Sequence, residues 1–287
     1  MPELPEVEGI RRVLGERTTS MRLTRVQVRR VDVIKPVKGR RTAVRADQRK
    51  RSLLEGGRVA SVLRHGKRLA LVAEDGRVLE FGLGMSGHLE YSEGIRGRPE
   101  QPHEHLRWRL EDSGGRARGM LVWRDPRRFG GVTPLPSLGD LRERQWSHLG
   151  PDALEVGERG FITRLKEGNA PIKARLLNQT VLAGVGNIYA DEALFRAGIN
   201  PVRKASRISS SRLGSLHRAV RAVLSEAIRA GGSSIRTFRD PEGRMGGFQE
   251  SHAVYGRQGE RCGQCRTLIR ARTVGGRTTA WCPGCQL

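Results

Sequence analysis

The sequence contains no apolar run approaching the roughly 20 residues that a membrane span requires, and its charged start, MPELPEVE, does not read as a secretion leader. A soluble, cytoplasmic protein is expected, nucleoid-associated if its partner is DNA. Cysteine is scarce. The chain has four, and disulfides between them are disfavoured by the reducing cytoplasm expected for a chain without a secretion signal. Lysine is scarcer than a strongly basic chain would suggest: of 53 basic residues only 7 are lysine and 46 are arginine. Arginine stays protonated and forks onto phosphate, so it clamps anions without serving as an ordinary acid or base near neutral pH. Each of Lys35, Lys38, Lys50, Lys67, Lys166, Lys173 and Lys204 is therefore a candidate for chemistry as well as for a solvated surface charge.

Acidic residues number 30, which leaves a formal charge of +23 and a pI near 11.4. A polyanionic partner follows, nucleic acid before a membrane surface. At 287 residues the chain is long enough for one large domain or two to three smaller ones, each with its own core.

The first eight residues organise the chemical reading. Removal of Met1 would leave Pro2 with a free secondary amine, beside Glu3 and within about a turn of Glu6. An α-amino group has a reference pKa of about 7.7 to 8.0, so part of it is unprotonated at neutral pH. Attack of such an amine on an aldehyde-like carbon gives a cationic iminium, an electron sink that acidifies the neighbouring carbon. Glu3, held next to it by the peptide bond, is placed to move protons. The same three residues are also compatible with an ordinary chain start.

Along the chain, Ile10, Val13 and Leu14 share one side of a helix over 7–14. Alternation of Val26, Val28, Val31 and Val33 predicts strands between Leu23 and Val33, with a break at Arg29 and Arg30. Strands at 58–64 and 68–73 follow, then Asp75-Gly76 between apolar runs, which is a hairpin signal. Alternation at Leu106, Trp108 and Leu110 and the run 120–123 complete a β-rich region, a sandwich with a helix attached. Within it, Lys67 sits at the mouth of a strand, where it either reaches a phosphate, shuttles a proton or is a turn charge. Met85, in Leu83-Gly84-Met85-Ser86-Gly87, either plugs the core or wedges into a base stack. The segment Asp125-Pro126-Arg127-Arg128-Phe129-Gly130 combines guanidiniums and a ring suited to gripping phosphates and stacking on bases.

A linker at 132–139 leads into helical stretches at 141–149, 161–165 and 171–177. The turn Ala183-Gly184-Val185-Gly186-Asn187 then opens a helix to Arg196; it is either a phosphate cradle with Asn187 as cap or ligand, or an interhelical turn. The longest helix is expected over 209–230, followed by a mobile glycine-rich loop from Asp240 to Gly247. Finally, Cys262-x-x-Cys265 and Cys282-x-x-Cys285, separated by sixteen residues, have the spacing of two knuckles closing one structural Zn²⁺ site. A hairpin between the pairs projects Arg277.

Taken together, MPELPEVE, LGMSG, DPRRFG, GVGNIYADEALFRAGI, VYGRQGE and the four-cysteine finger make the whole chain resemble bacterial formamidopyrimidine-DNA glycosylase. The resemblance implies an α+β protein with three parts. These are an N-terminal β-sandwich carrying a helix (1–133), a linker plus helix-two-turn-helix module (134–247) and a C-terminal zinc finger hairpin (248–287). It further implies a monomer that binds damaged double-stranded DNA and excises oxidised purines such as 8-oxoguanine and formamidopyrimidines, then cuts the strand by β,δ-elimination. By the same resemblance Pro2 is the Schiff-base nucleophile, Glu3 the proton donor and acceptor, and Glu6 a supporting acid. Lys67 is the residue for β-elimination and Arg277 that for δ-elimination and phosphate contact. His103, Arg127, Lys173 and Asn187 fall at DNA-contact positions, and Met85, Arg127 and Phe129 fill the void left by an extruded nucleotide.

Three departures stand out. Gly82 occupies a position where many relatives carry histidine, Gly168 or Asn169 replaces a basic residue, and Arg244 and Gly247 replace a lysine and an aromatic. Two other readings compete: an endonuclease VIII-type glycosylase for oxidised pyrimidines, and a non-catalytic DNA-binding zinc protein.

Overall fold

The structure, a computed structural model, describes residues 2–37, 39, 46–94, 100–235 and 238–287; Met1 and Lys38 lie outside them. The chain divides into two compact units. The first comprises Met1–Pro2, Glu6–His148 and Ser234–Gly246, and the second Glu3–Pro5, Leu149–Ser233 and Gly247–Leu287.

The first unit is a β-sandwich. Helix α1 (Leu4–Thr18) is followed by β1 (Arg22–Val28), α2 (Ala46–Ser52), β2 (Val59–His65), β3 (Arg68–Ala73), β4 (Val78–Gly82), β5 (His88–Glu93), β6 (Glu104–Glu111), β7 (Ala117–Arg124) and β8 (Gly131–Leu135). Two antiparallel four-stranded sheets form, ordered β1-β6-β7-β5 and β2-β3-β4-β8. Inward residues of both share one core: Val62, Leu69, Leu71, Leu79 and Phe81 from one sheet, Leu23, Leu106, Trp108, Leu121 and Trp123 from the other. The rings interlock, with Phe81 5.8 Å from Trp123 and 6.1 Å from Trp108. Val7, Ile10 and Leu14 of α1 enter the same core, so the helix that follows the chain start is anchored along one apolar stripe.

Of the strands expected between Leu23 and Val33, the one before the break at Arg29 and Arg30 forms as β1, and the stretch after the break forms none. The strand stops at Val28, and Val31 is 53% exposed while Val33 is buried. Arg25, at φ +46°, sits in a register break between Thr24 and Gln27, and the partner strand begins at Glu104, so the chain beyond Arg29 leaves this sheet and meets the other only in an isolated parallel bridge, Ile34 to Val132. After β8, a one-turn helix α3 (Leu138–Asp140), capped by the Ser137 hydroxyl, runs into a wider helical turn, Leu141–Trp146. Leu141 covers the outer face of the second sheet with Val37, Ala70, Val78 and Leu135.

The second unit holds α4 (Glu158–Lys166), α5 (Ile172–Leu177), α6 (Asn187–Arg196) and α7 (Ser210–Arg229), then the hairpin β9 (Arg270–Val274) and β10 (Arg277–Trp281). Helix α7 is the longest, as its stripe predicts: Leu213, Leu216, Val220, Val223, Leu224 and Ala227 are buried against Phe161, Leu176, Tyr189 and Leu194. Ser209 caps it through the Arg212 N–H at 3.3 Å. In the hairpin turn Gly275 and Gly276 both have positive φ, 58° and 72°, the backbone that lets a two-residue turn follow the strand twist.

Candidate active site and nucleic-acid interface

Glu3 is 4% exposed, and its Oε1 accepts the Ile188 N–H at 3.1 Å, in the first turn of α6. A carboxylate here meets unsatisfied N–H groups and the positive end of the helix dipole. The preceding turn is built around this residue and its neighbour. A β-carbon at Gly186 would lie inside the Glu3 carboxyl group and one at Gly184 inside the Leu4 side chain, while the Leu4 N–H donates to Gly184 O at 3.2 Å. The glycines that suggested a phosphate cradle therefore make room for an internal carboxylate. The helix N-cap is Gly186, and Asn187 is its first residue; it caps nothing and instead donates from Nδ2 to Thr278 O at 2.9 Å. Pro2, one peptide bond before Glu3, is half-buried, and Glu6 is buried on α1.

Lys67 lies in the tight turn between β2 and β3. On its N-terminal side His65 stacks on Trp146, ring centroids 5.7 Å apart, and Trp146 donates to Glu80 Oε1 at 3.0 Å.

The expected wedge and stacking residues converge through a buried residue that the sequence did not single out. Asp125, fully buried, accepts the Ser86 hydroxyl at 2.6 Å on Oδ1 and the Gly130 N–H at 2.8 Å on Oδ2. Its own N–H donates to His103 O at 3.2 Å, and Ser86 Oγ also accepts the Arg127 N–H at 3.2 Å. One residue, through its carboxylate and its backbone N–H, thus ties together the Met85 loop, the Arg127–Phe129 loop and the His103 loop. A β-carbon at Gly84 would come within 2.6 Å of Gly130 N, so the first two loops touch backbone to backbone. Met85 is 48% and Phe129 62% exposed, which excludes a core plug for either. The Arg127 guanidinium stands 4.6 Å over the Phe129 ring, leaving cation and ring on one solvent-facing tip. His103 is exposed and has φ +68°.

In the second unit the expected contact residue Lys173 is placed differently. It is 0% exposed; its ammonium donates to Thr279 Oγ1 at 2.8 Å and Thr278 O at 3.1 Å and pairs with Asp191 Oδ1 at 2.7 Å. The residue expected at a DNA contact is thus buried in this structure, its ammonium enclosed by internal acceptors. Burial pushes the Asp191 carboxyl up to about 6 against the pull of Lys173, and burial draws the Lys173 ammonium down. Asp191 Oδ2 also accepts the Ala280 N–H at 3.0 Å. Strand β10 is thereby fixed to α5 and α6 by Lys173, Asn187 and Asp191, and it carries the exposed Arg277 at its start. Glu192, next on α6, accepts the N–H groups of Ala253, Val254 and Tyr255 at 2.8 to 3.0 Å, pinning the chain that leads into the finger.

The sulfurs of Cys262, Cys265, Cys282 and Cys285 lie within 4.8 Å of one another, and no two are joined as a disulfide. The Cys265–Cys282 and Cys262–Cys285 separations are 3.3 and 3.9 Å, bracketing the roughly 3.8 Å edge of a tetrahedron with metal–sulfur bonds near 2.3 Å. The set is able to hold one metal ion, with every ligand from protein.

Family models match both units: the formamidopyrimidine-DNA glycosylase N-terminal domain over residues 1–132, and that enzyme's helix-two-turn-helix domain over 149–239. The chain belongs to the formamidopyrimidine-DNA glycosylase family. Full-length relatives agree. The Solibacter usitatus enzyme is 39% identical over all of this chain and 99% of its own, and a Thermus thermophilus enzyme 42% over 100% and 98%. A crystal structure of the protein from Thermus thermophilus aligns with TM-score 0.82, covering 99% of this chain and 98% of that one at 40% identity. A Lactococcus lactis variant bound to Fapy-dG DNA aligns with TM-score 0.86 at 31% identity, covering 99% of both chains.

In this member of the formamidopyrimidine-DNA glycosylase family, DNA repair enzymes of base excision, an arginine lies over each of two glycines singled out in the sequence. The Arg68 guanidinium occupies the space a side chain at Gly82 would fill and is held by buried Glu80 at 3.2 Å. Arg175 likewise lies over Gly168, 3.2 Å from where a β-carbon would stand. In the segment after α7, Asp240 Oδ1 accepts the N–H groups of Glu242 and Arg244, both at 2.9 Å, which closes the glycine-rich turn. The described helices include none long and apolar enough to cross a membrane.

Proposed function

We propose that this glycosylase is bifunctional, removing oxidised purines and then cleaving the strand at the abasic sugar. The reading is carried by Glu3: a buried carboxylate, seated on a helix N-terminus by glycines that leave room for nothing else, directly follows the residue that would present a secondary amine. In this mechanism the Pro2 nitrogen attacks C1′ of the damaged nucleoside, the base departs with a proton supplied through Glu3, and the sugar ring opens to an iminium. Glu6 supports the electrostatics of the amine. A proton leaves C2′ for the Lys67 amine, its bonding pair becomes the C2′–C3′ double bond, and the C3′–O bond breaks with the phosphate keeping its pair. Arg277 contacts phosphate and assists the second, δ-elimination.

Damaged double-stranded DNA is the partner, bound by a chain of charge +23. His103, Arg127, Asn187 and Arg277 supply contacts to it, while Met85, Arg127 and Phe129 enter the gap left by base extrusion. The four cysteines hold one structural Zn²⁺, which supplies folding energy to the finger and leaves no open coordination position.

Borohydride treatment during reaction with an 8-oxoguanine duplex should trap the DNA on the N-terminal residue, read by mass spectrometry of the first peptide. DNA binding without any adduct, or an active protein that retains Met1, would overturn the Schiff-base reading and favour a passive DNA-binding protein. A second reading, excision of oxidised pyrimidines, has one supporting observation. A Lactococcus lactis relative, 31% identical, has been solved with DNA containing an oxidised pyrimidine. Parallel excision assays on 8-oxoguanine and thymine glycol duplexes separate the two, with faster turnover of the purine expected.

A further inference from the structure

Arg64 is the next-to-last residue of β2, three before Lys67, and its side chain is only 6% exposed. Its Nε donates to Glu8 Oε2 at 3.0 Å and its Nη1 to Gly66 O at 3.1 Å. One guanidinium thus joins two places the mechanism uses: the first turns of the helix that follows Pro2, and the carbonyl immediately before Lys67. Gly66 has φ +56°, a left-handed backbone setting that glycine adopts without strain. Fixing its carbonyl fixes the plane of the peptide leading into Lys67, and so the direction in which the Lys67 side chain leaves the turn.

The anchor at the other end is firm. Glu8, with a side chain 9% exposed, receives Arg11 Nε and Nη2, each at 2.8 Å, and Arg12 Nε at 2.9 Å in addition to Arg64. Burial opposes its ionisation, yet these hydrogen bonds outweigh burial and bring the carboxyl down to about 2. Glu8 is thereby held as a carboxylate at neutral pH. A lysine at position 64 presents a point charge without the planar fork that spans both acceptors.

We propose that Arg64, anchored by Glu8, is a positioning residue that aims Lys67 at the sugar carbon whose proton is removed during strand cleavage. The inference rests on the proposed Schiff-base chemistry and goes one step beyond it. If it holds, loss of Arg64 slows the step after iminium formation more than iminium formation itself.

The test is single-turnover reaction of the full-length enzyme with a preformed abasic duplex, following borohydride-trappable adduct and β-elimination product separately. Arg64→Gln should leave the trapping rate within about threefold of wild type and slow β-elimination tenfold or more, so that the adduct accumulates. Arg64→Lys, which keeps the charge opposite Glu8 and loses the bond to Gly66, should fold as wild type and show the same change of partition to a smaller degree. Equal slowing of both steps in both variants, or unchanged kinetics in Arg64→Lys with its fold intact, would overturn the proposal. Absence of any trapped adduct in the wild type would instead overturn the underlying Schiff-base reading, so the two failures are distinguishable.

Discussion

Single side chains decide much of this site, and their costs are testable one at a time. Removing the charge of Asp191 leaves the Lys173 ammonium buried at 0% exposure with only Thr278 and Thr279 to solvate it. Asp191→Asn should cost roughly 3 to 5 kcal/mol in urea denaturation. The double variant Lys173→Met with Asp191→Leu should recover most of that, and a cost below about 1 kcal/mol for the single change would mean that the pair is not desolvated. Glu8 offers a pH signature. Its folded-state carboxyl is depressed from 4.5 to about 2, so its contribution is complete above pH 4.5 and is lost as the pH falls from there toward 2. A displacement of that size is worth about 3 kcal/mol. Glu8→Gln should flatten the acid limb of stability against pH in that window, and an unaltered limb would assign the acid loss to other carboxylates. Gly186→Ala places a methyl inside the Glu3 carboxyl group. Base excision should fall at least tenfold while the far-ultraviolet circular dichroism stays that of the wild type.

At the level of elements, the finger hairpin and the three-loop junction depend on different things. Strands β9 and β10 form a two-stranded sheet, which is marginal alone in water. Its supports are the four-cysteine cluster on one side and the bonds from Lys173, Asn187 and Asp191 on the other. Chelation of the proposed metal should therefore raise amide exchange across 261–287 while the amides of α7, packed in the helical core, keep their protection. Equal protection of the finger before and after verified metal loss would show that the α5 and α6 ties suffice. The three loops instead depend on Asp125, whose carboxylate spans Ser86 and Gly130. Asp125→Ala should leave those donors unsatisfied and release the Met85 and Phe129 tips, weakening binding to lesion duplexes more than to single strands.

Over the whole molecule, charge governs association. With +23 spread mainly over arginines, binding to duplex should fall steeply with salt. About six phosphate contacts would give a loss near 10³ between 50 and 200 mM, and a flat salt response would argue against phosphate clamping. The family, the helical stripe of α7, the Asp75-Gly76 and Gly275-Gly276 turns and the cysteine spacing were legible from residue order, because each is set by neighbours within a few positions. The adjacency of Pro2 and Glu3 is legible too, since the peptide bond alone sets it. The bulge at Arg25 was not, because a register break belongs to a strand pair and not to either strand. Nor were the burial of Lys173, the junction at Asp125 or the glycine turn as a seat for Glu3 and Leu4, whose partners lie dozens to well over a hundred residues away.

Residue order by itself determined which chemical groups exist and which of them are local neighbours: a proline next to a glutamate, a large excess of cationic side chains and a metal-spaced set of thiols. Only the tertiary structure decided which cations face solvent and which are consumed internally. A lysine and an arginine carry the same charge in the sequence, but desolvation and the acceptors within about 3 Å determine whether that charge is free to meet a phosphate.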